Sequence, residues 1–205
     1  MAANYKLNKS ELTRLRRETK MYGQFLPVLK LKKEQLQIEH LQLKREMAAG
    51  EKALEQARSG VSGLVSLLAE PLPIDVAALA RASKVVLGEK IIAGVKTPAI
   101  KEIVFPDIAL SRFGIPPWVN RALPRLRELV RRNLELNILR EQYQAIGKEL
   151  RKATQKVNLF EKVLIPEARE AVRRIEIALG DQQVAAVCRG KLAKSRKVKA
   201  MEVHS

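Results

Sequence analysis

The sequence predicts a mainly α protein, a long antiparallel two-helix coiled coil formed by its N- and C-terminal segments, with a small middle head containing a short helix and a β-hairpin. Three observations predict it. Apolar residues recur at alternating spacings of three and four near both ends of the chain. Proline clusters cut the 205 residues into two long outer segments and a shorter middle. The composition is 46% hydrophobic but only 4% aromatic, which suits a narrow seam of Leu, Ala, Val and Ile better than a thick globular core.

The N-terminal series runs Leu12, Leu15, Thr19, Tyr22, Leu26, Leu29, Lys33, Leu36, His40, Leu43, Met47, Gly50, Leu54, Ala57, Val61, Leu64, Leu68, and places a coiled-coil helix within residues 1–70. Lys33 and His40 are polar where leucine would pack better. They are read as side chains that snorkel or set register; the alternative is that a partner's carboxylate or a neighbouring acid such as Glu161 meets Lys33. A metal role for His40 finds no support, because the only other histidine is His204.

Helical periodicity stops at Pro71-Leu72-Pro73, since proline disfavours the helical region for the residue before it and has no N–H to donate. Residues 71–118 form the head. Asp75 is suited to cap a short helix to Ser83, and β-branched residues dominate from Val85 to Phe105. Within 85–105, Gly94-Val95-Lys96-Thr97-Pro98 separates two apolar runs, so Gly94 and Pro98 are assigned to the hairpin turn. A second break at Gly114-Ile115-Pro116-Pro117 precedes the C-terminal helix of 119–186 and a basic tail of 187–205. Its seam series reads Leu129, Leu136, Leu139, Tyr143, Ile146, Leu150, Ala153, Val157, Phe160, Leu164.

The two outer helices are each about 60 residues, or about 90 Å at the rise of an α-helix. Folding the chain back at the hairpin pairs them antiparallel, with facing residue numbers that sum to about 190. That register sets Pro27 level with Pro166, and a proline inside a helix removes a hydrogen bond and bends the axis. A shared bend there is the expectation. Gly190 weakens helix by about 1 kcal/mol relative to alanine, so the C-terminal tip is expected to fray.

There are 39 Lys and Arg against 22 Asp and Glu, a formal net charge of +17 that calls for an anionic partner. The N-terminus lacks the apolar stretch of a signal peptide and no segment approaches the roughly 20 apolar residues of a membrane span, so a cytoplasmic, soluble chain is expected. Cys188, the only cysteine, allows no internal disulfide. No phosphate-binding loop, cysteine pair or Ser-His-Asp set is present, so neither a catalytic site nor a cofactor or metal is expected.

Three segments resemble a known family, the D subunit of V-type and archaeal A-type ATPases. They are Leu29-Lys30-Leu31-Lys32-Lys33-Glu34-Gln35-Leu36 with Leu12 and Leu15, then Ala93-Gly94-Val95-Lys96-Thr97-Pro98, then Arg151 to Pro166. The last follows a signature of the form Arg-x-x-x-x-x-Val-Asn-x-x-Glu-x-x-x-Ile-Pro. Pro27 and the run Val187-Cys188-Arg189-Gly190-Lys191 depart from the family pattern. The resemblance implies a non-catalytic central rotor shaft that couples ATP synthesis or hydrolysis to proton or sodium translocation. It also implies partners: the catalytic and regulatory subunits of the hexamer around the paired termini, the F subunit along the side, and a ring-adaptor subunit at the head end. Membrane association would be indirect and no nucleic acid would be bound. Arg14, Arg16, Arg17, Lys20, Arg169, Arg173 and Arg174 are then the candidate hexamer contacts. Two rival readings stand beside this one: a basic coiled coil that binds nucleic-acid phosphates through Lys191, Lys194, Arg196, Lys197 and Lys199, and a general cytosolic scaffold.

Overall fold

The computed structural model describes residues 5–63, 75–106 and 116–203, including all their side chains except those of residues 117 and 198–203. Leu64, Leu68 and the break at Pro71-Leu72-Pro73 lie outside these residues, as do Gly114 and Ile115. In chain order the elements are α1 (Lys9–Ser62), α2 (Val76–Ala80), β1 (Lys84–Ile92), β2 (Val95–Val104), α3 (Pro117–Leu159), a π-helical turn (Phe160–Leu164) and α4 (Ile165–Val203). They fold as a long antiparallel two-helix coiled coil with a two-stranded hairpin and a short helix in the middle. The chain forms two compact units, a terminal one of residues 1–31 with 153–205 and a middle one of residues 32–152.

α1 starts where Asn8 accepts the Glu11 N–H through its side chain at 2.8 Å. Every seam position of the N-terminal series from Leu12 to Val61 is buried or half-buried, and so is every position of the C-terminal series from Leu129 to Leu164. In the terminal unit Leu15 packs with Ala171 and Ile175, joined by Tyr5, Leu12, Val172 and Leu179. In the middle unit Leu36, Leu136 and Ile146 are almost completely buried. Gly50 sits against large partners, since a Cβ there would lie 3.4 Å from Leu136 Cδ1 and 3.8 Å from Leu139 Cδ1. Numbers rise along one helix as they fall along the other: Arg16 meets Glu176 and Lys30 meets Glu161 in the terminal unit, where Tyr22 also lies edge-on against Phe160. His40 meets Tyr143 and Glu51 meets Arg140 in the middle one.

The head follows the expected order with a tighter hairpin. Asp75 caps α2 by accepting the Ala78 N–H at 3.0 Å, and the helix ends at Ala80, short of Ser83. β1 and β2 pair antiparallel around a two-residue turn, Ala93-Gly94, in which both residues have positive φ (47° and 76°). Two such residues in sequence are the signature of the hairpin turns that match strand twist, and glycine enters that region without steric cost. The assignment of Pro98 to the turn is corrected: it stands within β2, opposite Glu89. Its carbonyl accepts Gln142 Nε2 of α3 at 2.6 Å, so its backbone polar edge faces away from β1. On that side of a ribbon a missing N–H costs the ladder nothing. A register shift between Val86 and Leu87 leaves Lys101 unpaired. Its aliphatic stem lies over Gly88, where a Cβ would come within 2.4 Å of Lys101 Cε.

Arg127 of α3 ties the head together. Its Nη2 donates to the Pro106 carbonyl at 2.6 Å, its Nε to the Leu79 carbonyl at 3.3 Å, and its guanidinium lies 5.4 Å from the Phe105 ring centre. Leu79 and Ala80 of α2 pack on Leu123 and Leu126 beside it.

Two features of the C-terminal helices were not expected. α4 continues through Gly190 to Val203, so the basic tail is helical as far as it is described, and residues 181–197 are all exposed. The π-turn, closed by the Ile165 N–H on the Phe160 carbonyl, separates α3 from α4 just before Pro166.

Two stability measurements follow from these contacts. Leu36→Ala is expected to cost about 2–5 kcal/mol and the exposed Leu31→Ala less than about 0.5 kcal/mol, read from urea midpoints. Ala93→Asn creates the favoured Asn-Gly pair at the hairpin tip and is expected to raise the midpoint, by up to about 1 kcal/mol, without a change in slope.

Candidate functional site

The seven basic residues picked out from the sequence all lie on the terminal unit, on α1 and α4, and the structure divides them. Arg14 is neutralised within α1, at 2.6 Å from Glu11 and 3.9 Å from Glu18. Arg174 hydrogen-bonds Glu170 one turn away; that bond, the nearby negative charge and Tyr5 raise its pKa. Arg17 and Arg173 are exposed.

Arg16, Lys20 and Arg169 converge. With Thr19 and Val172 they line one shallow hollow between α1 and α4. Thr19 and Val172 sit at its inner edge, each half-buried in the seam. Arg16 is also held by Glu176 across the helix pair at 2.7 Å, with 61% of its side chain still exposed. One carboxylate therefore balances one of three cations, and the hollow carries a net positive field suited to a carboxylate or phosphate on another molecule. Position in the heptad explains the convergence: Arg16 and Lys20 are one turn apart on the flank of α1, facing the flank of α4 that bears Arg169.

The seam itself holds the other polar site. His40 stacks on Tyr143 with ring centres 4.1 Å apart and planes at 17°. Space for the imidazole comes from Gly147, where a Cβ would approach His40 Cε1 to 3.2 Å. His40 Nδ1 is buried without a hydrogen-bond partner, which fits a neutral ring carrying its proton on Nε2. Burial lowers the His40 pKa from its usual 6.5, and the charges of Lys44 and Arg151 lower it further. In the terminal unit Glu161 is engaged by Lys30 at 2.8 Å. Lys33 is half-buried at its seam position.

Among the described residues no helix is long and apolar enough to cross a membrane, and no three His, Cys, Asp or Glu side chains are grouped to hold a metal. What the fold and its surface define is a predominantly helical protein, with an apolar seam in each unit and a charged flank on the terminal one. The family model for the ATP synthase D subunit matches residues 11–195. The V-type ATP synthase D subunit of Borreliella burgdorferi is 36% identical over 194 residues, covering 95% of each chain. The proteins of that name from Chlamydia felis and Chlamydia muridarum are 35% and 31% identical, over 94% and 96% of this chain and 89% and 97% of theirs. The chain belongs to the ATP synthase D subunit family.

The depressed His40 pKa carries a pH dependence. The unfolded chain takes up the proton more readily than the folded one, so stability is intact above about pH 6.5 and falls as the pH drops below it. Thermal unfolding between pH 7.5 and 5 is expected to show this loss in the parent chain, and His40→Leu is expected to flatten it.

Proposed function

We propose that the chain is the central rotor shaft of a V-type rotary ATPase and contains no reaction centre of its own. The carrying observation is the seam: helices from the two ends of one chain, apolar at nearly every facing layer, covering one another antiparallel. Torque transmission needs resistance to bending and twisting, and a close-packed seam supplies it because displaced side chains lose contacts on both helices at once.

In this reading the paired N- and C-terminal segments engage the alternating catalytic and regulatory subunits of the hexamer. The F subunit lies along the side of the shaft, and the middle head faces the component that adapts it to the membrane ring. The hollow of Arg16, Lys20 and Arg169 meets acidic groups of the hexamer. Arg17 and Arg173 add long-range attraction, while Arg14 and Arg174, with carboxylates at hand on their own helices, add least. Exposed ion pairs are individually worth about 0–1 kcal/mol, so such contacts guide the shaft without locking it to one position. Pro27 and Pro166 make the shaft eccentric where they face each other, so that its rotation presents different faces to successive nucleotide sites.

Co-expression with the other ATPase subunits, followed by affinity capture and mass spectrometry, is expected to recover the catalytic and regulatory subunits together with the F subunit. Arg16→Glu with Lys20→Glu and Arg169→Glu is expected to weaken capture of the hexamer about tenfold or more, as three reversed exposed contacts of this size predict. Arg14→Glu should have a smaller effect, and circular dichroism should show all variants folded. Salt-steep nucleic-acid binding with none of the ATPase subunits recovered would reject the proposal.

A further inference from the structure

We infer that the π-turn Phe160–Leu164 is a register joint: it takes up one surplus residue so that the seam faces of α3 and α4 coincide, and it concentrates torsional give at that level of the terminal unit. The inference rests on the chain's own geometry and does not depend on the rotary reading.

The surplus can be located in the burial pattern. Ala153 and Val157 on α3 and Phe160 at the start of the π-turn follow the alternating spacing, and Ile165, Ala168, Val172, Ile175 and Leu179 follow it on α4, with the buried Ala171 beside Val172. Between Phe160 and the buried Ile165 the step is five, with Leu164 half-buried just before it. An unbroken series would pass from Phe160 through the half-buried Leu164 and the buried Ala171, but would also bring Glu167 and Arg174 into the seam. Both are exposed, while Ala168 and Ile175 are buried. Five residues closed by an i to i+5 hydrogen bond advance about as far around the axis as four in an α-helix, so the apolar face is recovered after one inserted residue.

The same level is short of backbone hydrogen bonds. Pro166 has no N–H, and in a regular α-helix its ring would press on the Lys162 carbonyl one turn earlier. Across the seam Pro27, also without an N–H, lies between Tyr22 and Lys30. These two residues contact Phe160 (ring centres 5.4 Å apart, edge to face) and Glu161 (2.8 Å), the first two residues of the π-turn. Both helices therefore lose a rung at one level, and side-chain contacts bridge the gap.

Two causes of the π-turn, surplus residue and proline, are separable in the full-length chain. Pro166→Ala removes the proline and leaves the surplus, so amides 161–168 are expected to exchange at least about tenfold faster than those of 150–157 and 171–178, as in the parent. Deleting Val163 in the Pro166→Ala background makes the two seam series one, and is expected to slow those amides to the rate of their neighbours without lowering the Tm. Deleting Gln144 in the same background puts several layers out of register and is expected to lower the Tm by several degrees or more. Val163→Ala, which keeps the chain length, should behave as the parent does. The inference is overturned if Pro166→Ala alone removes the fast exchange, or if loss of Val163 destabilises as much as loss of Gln144.

Discussion

The constraint on which everything else depends is mutual coverage of two helices that neither could bury alone. Each carries an apolar strip only one or two residues wide, and an isolated helix gains little from such a strip in water. Chain reversal in the middle makes each the other's solvent shield. Size complementarity then selects one alignment: Gly50 sits against Leu136 and Leu139, and Gly147 against His40. Sliding by a heptad would set bulk against bulk at some layers and open voids at others. The price of that alignment is an imidazole nitrogen without a partner.

Electrostatics has a secondary part. The ion pairs that cross between helices, Arg16–Glu176, Lys30–Glu161 and Arg140–Glu51, are solvent-exposed and align more than they stabilise. Local pairing decides which cations keep their charge available. Arg14 and Arg174 have carboxylates within a turn on their own helices, whereas Lys20 and Arg169 face a hollow whose one balancing acid, Glu176, is held by Arg16. A positive chain thus has an uneven surface in which the usable field is local.

Features set by short-range periodicity were legible in the sequence. The seam was readable from Leu12 to Val61 and from Leu129 to Phe160 because burial follows a repeat that spans a few residues. The hairpin was legible as well, but its tip was not, because Pro98 reads as a turn former until its carbonyl is known to face Gln142. The π-turn left a signal in the sequence that went unused: continuing the repeat past Leu164 would have put Glu167 and Arg174 among apolar residues. The role of Arg127 left none, since its contacts to Leu79, Phe105 and Pro106 join segments whose proximity is a result of folding. The convergence of Arg16, Lys20 and Arg169 required the register of two distant segments, and so did the pairing of Lys30 with Glu161.

The helix that outruns its companion has a practical side. Leu12 belongs with Leu179, near the start of α1, whereas α4 goes on to Val203, and Cys188 is exposed on that overhang. As the sole thiol in the chain, it is a unique attachment point for a maleimide dye or spin label. A label there would report only on the overhang, entering a new environment whenever another molecule closes around that end and leaving the seam chemistry untouched.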